Sequence, residues 1–105
     1  MIHHEQMLKE ITLYKDEDIW LTGENEENTL PGIFVHNELL TKLTPSKLKR
    51  AKLIWKEVSN QLYTLGVPAI YAVPLEPDNE KWTERFNFRY TGITLEGYKL
   101  YKHIR

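Results

Sequence analysis

The most regular hydrophobic pattern in the chain lies between residues 45 and 65, where apolar residues recur every three or four positions. This spacing predicts one long amphipathic helix with a single apolar face. Thr44-Pro45 is a typical helix start, because Thr can cap free backbone N–H groups and Pro needs no donor there. Gly66 and Pro68 end the pattern. The predicted apolar face comprises Leu48, Ala51, Ile54, Trp55, Val58, Leu62 and Leu65.

Shorter segments rich in β-favouring residues precede this helix. Residues 11–14 and 19–22 flank a polar Lys-Asp-Glu-Asp run, which is typical of a β-hairpin. Residues 33–36 form a third candidate strand, and the acidic run from Glu24 to Glu27 indicates a solvated turn before it. We therefore expect an antiparallel meander at the start of the fold.

A continuous apolar run, residues 69–73, follows the helix. Such a run is typical of a strand covered on both faces, and a strand–helix–strand order favours a parallel pair. We expect residues 69–73 to be a central strand parallel to residues 33–36.

The last third of the sequence predicts a short helix and a hairpin. Asp78 or Asn79 can cap the helix, Trp82 and Phe86 are neighbours one turn apart, and Asn87 can end it in the left-handed conformation. Residues 88–93 and 98–104 follow as two strands. The predicted order is β-β-β-α-β-α-β-β, a mixed sheet of the α/β (α+β) class forming one domain over residues 1–105.

Composition narrows the classes of function. The chain has 105 residues, 41% of them apolar, and a formal net charge of −1. The balanced charge argues against a nucleic-acid binder that uses the basic helix face, residues 47–52. Absence of Cys excludes disulfides and thiolate chemistry, and no apolar run is long enough to span a membrane. We expect a cytosolic protein. His3 and His4 are adjacent, but no further ligand supports a metal site.

Residues from about Ile33 to the end resemble the C-terminal half of the Gcn5-related N-acetyltransferase (GNAT) family. The resemblance rests on the element order, on Leu65-Gly66-Val67 at the end of the long helix, and on residues 83–88, which are similar to the family's Tyr-Glu-Lys-x-Gly-Phe segment. The family's first strand and first two helices are absent or reduced. Small virion-associated proteins of short-tailed bacteriophages have a similar shortened pattern.

This resemblance implies an acetyl-CoA site at the start of the long helix, with the pantetheine arm between residues 33–38 and 69–73. The family's Gln/Arg-x-x-Gly-x-Gly/Ala motif aligns with residues 46–51, where Lys49 replaces the first glycine. The expected cofactor-binding residues are Ser46, Lys47, Lys49, Arg50, Ala51 and Asn79.

The resemblance also implies candidate catalytic residues. Thr83 stands where the family often has a Tyr general acid, and a Thr hydroxyl has no pKa near neutrality. Glu38 and His36 lie on or just after the third strand, where a base that deprotonates an amine is found in active members. For His36 a purely structural role is the alternative.

Two functions compete on this basis. One is a catalytically degenerate member that serves as a phage structural or host-interaction protein, and the other is acetyl transfer from acetyl-CoA to an amine. The altered phosphate loop and the missing Tyr favour the first. Ile19 and Leu21 are predicted to face one side of their strand and Trp20 the other, and Tyr98 and Leu100 to oppose Tyr101. Large apolar groups on both faces predict a homo-oligomer or another protein partner, with Trp20 or strand 98–101 in the interface.

Overall fold

The computed structural model describes residues 8–26 and 32–105, which form six strands and two helices in the predicted order. The predicted class, α/β with a mixed sheet, is therefore confirmed. The elements are β1 (Leu8–Lys15), β2 (Ile19–Glu26), β3 (Ile33–Leu39), α1 (Pro45–Thr64), β4 (Ile70–Ala72), α2 (Pro77–Arg85), β5 (Phe88–Leu95) and β6 (Tyr98–His103).

All six strands form one sheet in the order β1-β2-β3-β4-β6-β5. Strands β3 and β4 are parallel, with Ile33 opposite Ile70 and Phe34 opposite Tyr71, and the other neighbours are antiparallel. The prediction that residues 69–73 contain a central strand parallel to residues 33–36 is confirmed. The parallel pair joins two antiparallel units, β1-β2-β3 and β4-β6-β5.

Helix α1 begins and ends where the sequence predicts. Thr44 is the N-cap, and its hydroxyl accepts the backbone N–H of Lys47. Gly66 follows the helix with a positive φ of 99°, which costs a glycine little. The predicted apolar face was wrong at one position, because Leu65 is 81% exposed. The helix ends at Thr64, one residue earlier than predicted, so Leu65 lies beyond the helical face on which Leu62 packs against the sheet.

The main hydrophobic core lies between α1 and one face of the sheet. It contains Leu21, Ile33, Trp55, Val58, Leu62, Ile70, Phe88 and Tyr101. A smaller cluster of Ala69, Tyr71 and Leu100 lies on the opposite face, with Phe34 packed against it. Adjacent residues of one strand belong to different clusters because their side chains alternate between the faces.

This alternation confirms two of the predicted orientations. Leu100 and Tyr101 belong to separate clusters, and Ile19 and Leu21 are buried on their strand while Trp20 between them is half-buried. Lys15 Nζ lies 4.1 Å from the Trp20 ring centroid. Leu100 and Tyr101 are 0% and 2% exposed, so the described chain already covers them. Of the other aromatic residues predicted for an interface, Trp20 is half-buried and Tyr98 is 44% exposed.

Two local predictions were wrong. Residues 24–26 belong to β2 rather than to a solvated turn, because they pair with residues 8–10 of β1. Helix α2 starts at Pro77 after Glu76, which places Asp78 and Asn79 inside its first turn instead of at its cap. Pro77 supplies the start, since its fixed φ suits the first helical position. His3, His4 and the end of the predicted acidic turn lie outside the described residues.

Candidate functional site

A cleft of about 410 Å³ opens on the α1 side of the sheet, where β3 and β4 separate. Their pairing ends after Phe34 and Tyr71, whereas β3 continues to Leu39. Helix α1 forms one wall of the cleft, and α2 with the segment before it forms the other. Its volume lies in the range of small-molecule sites, roughly 300–1,000 Å³.

Apolar side chains form most of the cleft wall. Those from the strands and the loop before α1 include Ile19, Leu21, Val35, Leu39, Leu43, Ala72, Val73 and Phe88, and those from the helices and the segment between them include Leu48, Ala51, Ile54, Trp55, Pro74, Leu75, Trp82 and Phe86. The polar lining residues are His36, Asn37, Glu76, Asn79 and Thr83. Apart from His36, Glu76 is therefore the one lining residue, among those the structure describes, with an acidic or basic side chain.

Side-chain hydrogen bonds hold α2 in place against α1 and against β6. The indole N–H of Trp55 on α1 donates to the backbone carbonyl of Phe86 at the end of α2, at 3.2 Å. Glu80 on α2 accepts from the Tyr101 hydroxyl at 3.3 Å and from Lys99 Nζ at 3.2 Å. These bonds fix α2 to both α1 and β6, so the cleft lies between elements that hold each other in place.

The start of α1 has few backbone donors for an anion. Pro45 has no N–H, Lys47 N–H donates to the Thr44 hydroxyl at 3.3 Å, and Leu48 N–H donates to the Thr44 carbonyl at 2.9 Å. Among the described residues of this first turn, only Ser46 has a backbone N–H without a protein acceptor. A helix start binds phosphate through several converging N–H groups, and here the helix's own cap occupies them.

Two cations on the first turns of α1, Lys47 and Arg50, are paired with the β1–β2 turn. Arg50 contacts Asp16 and also lies 3.2 Å from Asp18, while Lys47 Nζ lies 3.1 Å from Asp18 and 2.9 Å from the Thr41 hydroxyl. We call Asp16, Asp18, Lys47 and Arg50 the charge cluster. It places two carboxylates beside the positive end of the helix dipole, where an external anion would otherwise be favoured.

Local hydrogen bonds fix the two carboxylates. One oxygen of Asp16 accepts the backbone N–H groups of Asp18 and Ile19 at 2.8 and 2.9 Å, and the other accepts the Tyr14 hydroxyl at 2.6 Å. These hydrogen bonds, Tyr14 first, lower the pKa of Asp16 to about 2. Hydrogen bonds from Thr41 and Lys47 likewise lower the pKa of Asp18. Both groups are therefore ionised at neutral pH.

The cleft contains some of the predicted site residues and not others. His36, Ala51, Asn79 and Thr83 line it. Glu38 does not line it. Alternation along β3 gives Glu38 and His36 the same strand face as Phe34, opposite Val35, and of these two only His36 borders the cleft.

Of the predicted cofactor-binding residues on α1, Ala51 lines the cleft, whereas Ser46, Lys47, Lys49 and Arg50 lie outside its lining. Lys49 is exposed, and among the described residues it has no ion-pair partner. Ser46 is exposed, and its hydroxyl lies 3.2 Å from that of Thr44.

Thr83 is poorly suited to donate a proton to a ligand. Its hydroxyl donates to the backbone carbonyl of Asn79 at 2.7 Å. This back-bonding to the preceding helical turn uses its single O–H. Thr83 therefore contributes mainly its methyl group to the largely apolar wall of the cleft.

Sequence reasoning missed the role of Asp16 and Asp18. The Lys-Asp-Glu-Asp run predicts only a polar turn. Its partner Arg50 on α1 is 32 residues from Asp18 and 34 residues from Asp16 in the sequence. The one available signal was that this turn is acidic and the start of the helix is basic. Opposite charge alone does not indicate that two segments lie close together in the fold.

No family model, curated protein or solved structure matches this chain significantly. Within residues 8–26 and 32–105, no group of His, Asp or Glu side chains is arranged to hold a metal ion. Neither described helix is long and apolar enough to cross a bilayer.

Proposed function

We propose that this chain is a catalytically degenerate domain of the acetyltransferase type that acts by binding, in the manner of a phage structural or host-interaction protein. The observation that carries the proposal is the charge cluster. Two of the three cations in the predicted phosphate loop, Lys47 and Arg50, are already paired with Asp16 and Asp18 of the same chain, and Lys49 alone has no ion-pair partner among the described residues.

Two further features support a non-catalytic role. The first turn of α1 has one free backbone N–H among its described residues, so the dipole and the donors that usually hold a phosphate are largely used internally. One candidate base, Glu38, does not line the cleft, whereas the other, His36, lines it together with Thr83. The Thr83 hydroxyl proton is committed to the backbone carbonyl of Asn79.

Acetyl transfer is the alternative, and the cleft itself favours it. The cleft lies between separating parallel strands, where the family resemblance implies a pantetheine arm. An active enzyme would still need to bind the diphosphate of acetyl-CoA at the charge cluster. That requirement distinguishes the two functions.

Calorimetric titration with acetyl-CoA tests the proposal. We expect a dissociation constant weaker than about 100 μM for the native chain, which corresponds to less than about 5.5 kcal/mol of binding free energy. Low-micromolar binding that is lost in both Lys47→Ala and Arg50→Ala would contradict the proposal and restore the enzyme. Lys52→Ala is the matched control, since Lys52 is exposed on α1 outside the charge cluster.

A further inference from the structure

We infer that the cleft between α1 and α2 binds an uncharged, mainly aromatic or aliphatic small molecule. This inference rests on the proposed binding role and names the class of ligand. It is supported by three features of the cleft: its aromatic lining residues, the charges at its edge, and the unpaired side-chain amides of Asn37 and Asn79.

Aromatic side chains from three elements converge on the cleft. Trp55 comes from α1, Trp82 and Phe86 from α2 and its end, and Phe88 from β5. Trp55 and Phe88 are stacked with ring centroids 5.6 Å apart, so this part of the wall is preformed. Flat or extended apolar groups gain most from such walls, because burying them removes apolar area from water on several sides.

The charges at the cleft disfavour an anion. The one acidic lining residue among those described is Glu76, which is exposed at the N-cap of α2, and no Lys or Arg lines the cleft. Lys47 and Arg50 at the start of α1 are paired with Asp16 and Asp18, and Arg85 lies behind the wall, with its guanidinium 4.9 Å from the ring centroid of the lining residue Trp82. An anionic ligand would be desolvated against a lining that itself carries no cation, which is costly, whereas a neutral ligand avoids this cost.

The polar lining offers hydrogen bonds to a neutral group. Asn37 and Asn79 both line the cleft and are exposed, and neither side-chain amide has a hydrogen-bond partner among the described residues. Each amide can donate and accept. A ligand with one hydroxyl, amine or amide group on an apolar body would therefore match both the walls and these two side chains.

A matched pair of fluorescent probes tests the inference. N-phenyl-1-naphthylamine is neutral, and 8-anilinonaphthalene-1-sulfonate has the same ring system with a sulfonate added. We expect the neutral probe to bind with one site per chain and at least about tenfold more tightly than the sulfonate, a difference of about 1.4 kcal/mol.

Substitutions locate the bound probe. Thr83→Phe places a large ring in the cleft and should weaken binding of the neutral probe at least about tenfold. Thr94→Phe is the matched control, because Thr94 is exposed on β5 outside the cleft, and it should leave binding unchanged. Circular dichroism of both variants verifies folding.

Energy transfer from tryptophan gives a second readout that needs no large substitution. Trp82 lines the cleft and Trp20 lies on a different part of the chain, so Trp82→Phe should reduce transfer to the bound probe more than Trp20→Phe does. Absent binding, equal affinity for the two probes, or binding that Thr83→Phe leaves intact would each overturn the inference. None of these outcomes would affect the proposed function, which fails only on tight binding of acetyl-CoA.

Discussion

Trp55 connects the two walls of the cleft, and replacing it by Phe should loosen them. The Trp55 ring is 7% exposed, stacks on Phe88 and meets His103 edge-on at 5.2 Å between centroids. Its N–H donates to the carbonyl of Phe86 at the end of α2. Trp55→Phe keeps an aromatic ring on α1 but removes this bond and part of the buried surface.

The cost can be worked from these contacts. Leaving the Phe86 carbonyl without its partner costs about 1–3 kcal/mol, with the lower end applying if water reaches the carbonyl through the cleft. The smaller ring loses apolar burial and leaves a void worth about 1 kcal/mol more. We therefore expect the free energy of unfolding to fall by about 2–4 kcal/mol. For a domain of this size, this lowers the melting temperature by roughly 9–18 °C.

The other two tryptophans provide matched controls for the same substitution. Trp82 is half-buried, and its N–H has no partner among the described residues. Trp20 is half-buried and donates to the exposed Thr12 hydroxyl at 3.1 Å. Each Trp→Phe change should cost about 1 kcal/mol or less. Urea unfolding followed by far-ultraviolet circular dichroism measures all three. A loss at Trp55 no greater than that at Trp82 would show that the indole bond does not hold α2.

Two further predictions concern the charge cluster and the end of α1. Because folding lowers the pKa of Asp16 to about 2, its ionised form stabilises the fold above its ordinary pKa of about 4, and this contribution is lost as the pH falls from about 4 towards 2. Asp16→Asn should therefore lower the melting temperature at pH 7 and make the melting temperature less dependent on pH between 4 and 2. If the melting temperature of the variant changes with pH as steeply as that of the native chain, Asp16 is not the source of this dependence. On α1, Leu62→Ala should cost about 3–5 kcal/mol and Leu65→Ala less than about 0.5, since these side chains are 7% and 81% exposed. Similar losses in urea unfolding would mean that Leu65 is buried in solution.

The sequence was sufficient to predict the central elements because their signals are local and consistent. Helix α1 combines a Thr cap, a Pro at its first position, an apolar face and a closing Gly. Strand β4 is a short apolar run directly after it. When cap, periodicity and terminator agree, few alternative structures remain for a segment.

Predictions failed where two local signals competed. Glu76 is a poor cap, and the helix start at Pro77 comes from the proline ring rather than from Asp78 or Asn79. Glu24 and Glu26 are poor strand formers, yet pairing with β1 extends β2 through both. Tertiary context decided the extension of β2, and no single-sequence pattern contains it, whereas at Pro77 one local signal prevailed over another.

Predicting the cleft would have required information about contacts between residues that are even farther apart in the sequence. Its polar members, Asn37 and Asn79, lie on β3 and α2, more than 40 residues apart in sequence. The separation of β3 from β4 creates the space between them, and that separation follows from a parallel pairing only two residue pairs long.

The charge cluster connects the fold to the proposed loss of catalysis. A carboxylate in the β1–β2 turn is held by the backbone N–H groups of Asp18 and Ile19, so it is part of the turn's own structure and is present before any ligand arrives. An external phosphate would have to displace these intramolecular carboxylates, whose effective concentration near Arg50 is high because the turn tethers them. Displacement would also leave Asp16 and Asp18 without their cationic partners. A neutral ligand in the adjacent cleft faces neither cost, and the same ion pairs then support the cleft by joining the start of α1 to the β1–β2 turn. The ion pairs on which we base the proposed loss of acetyl-CoA binding are thus compatible with a neutral ligand in the cleft.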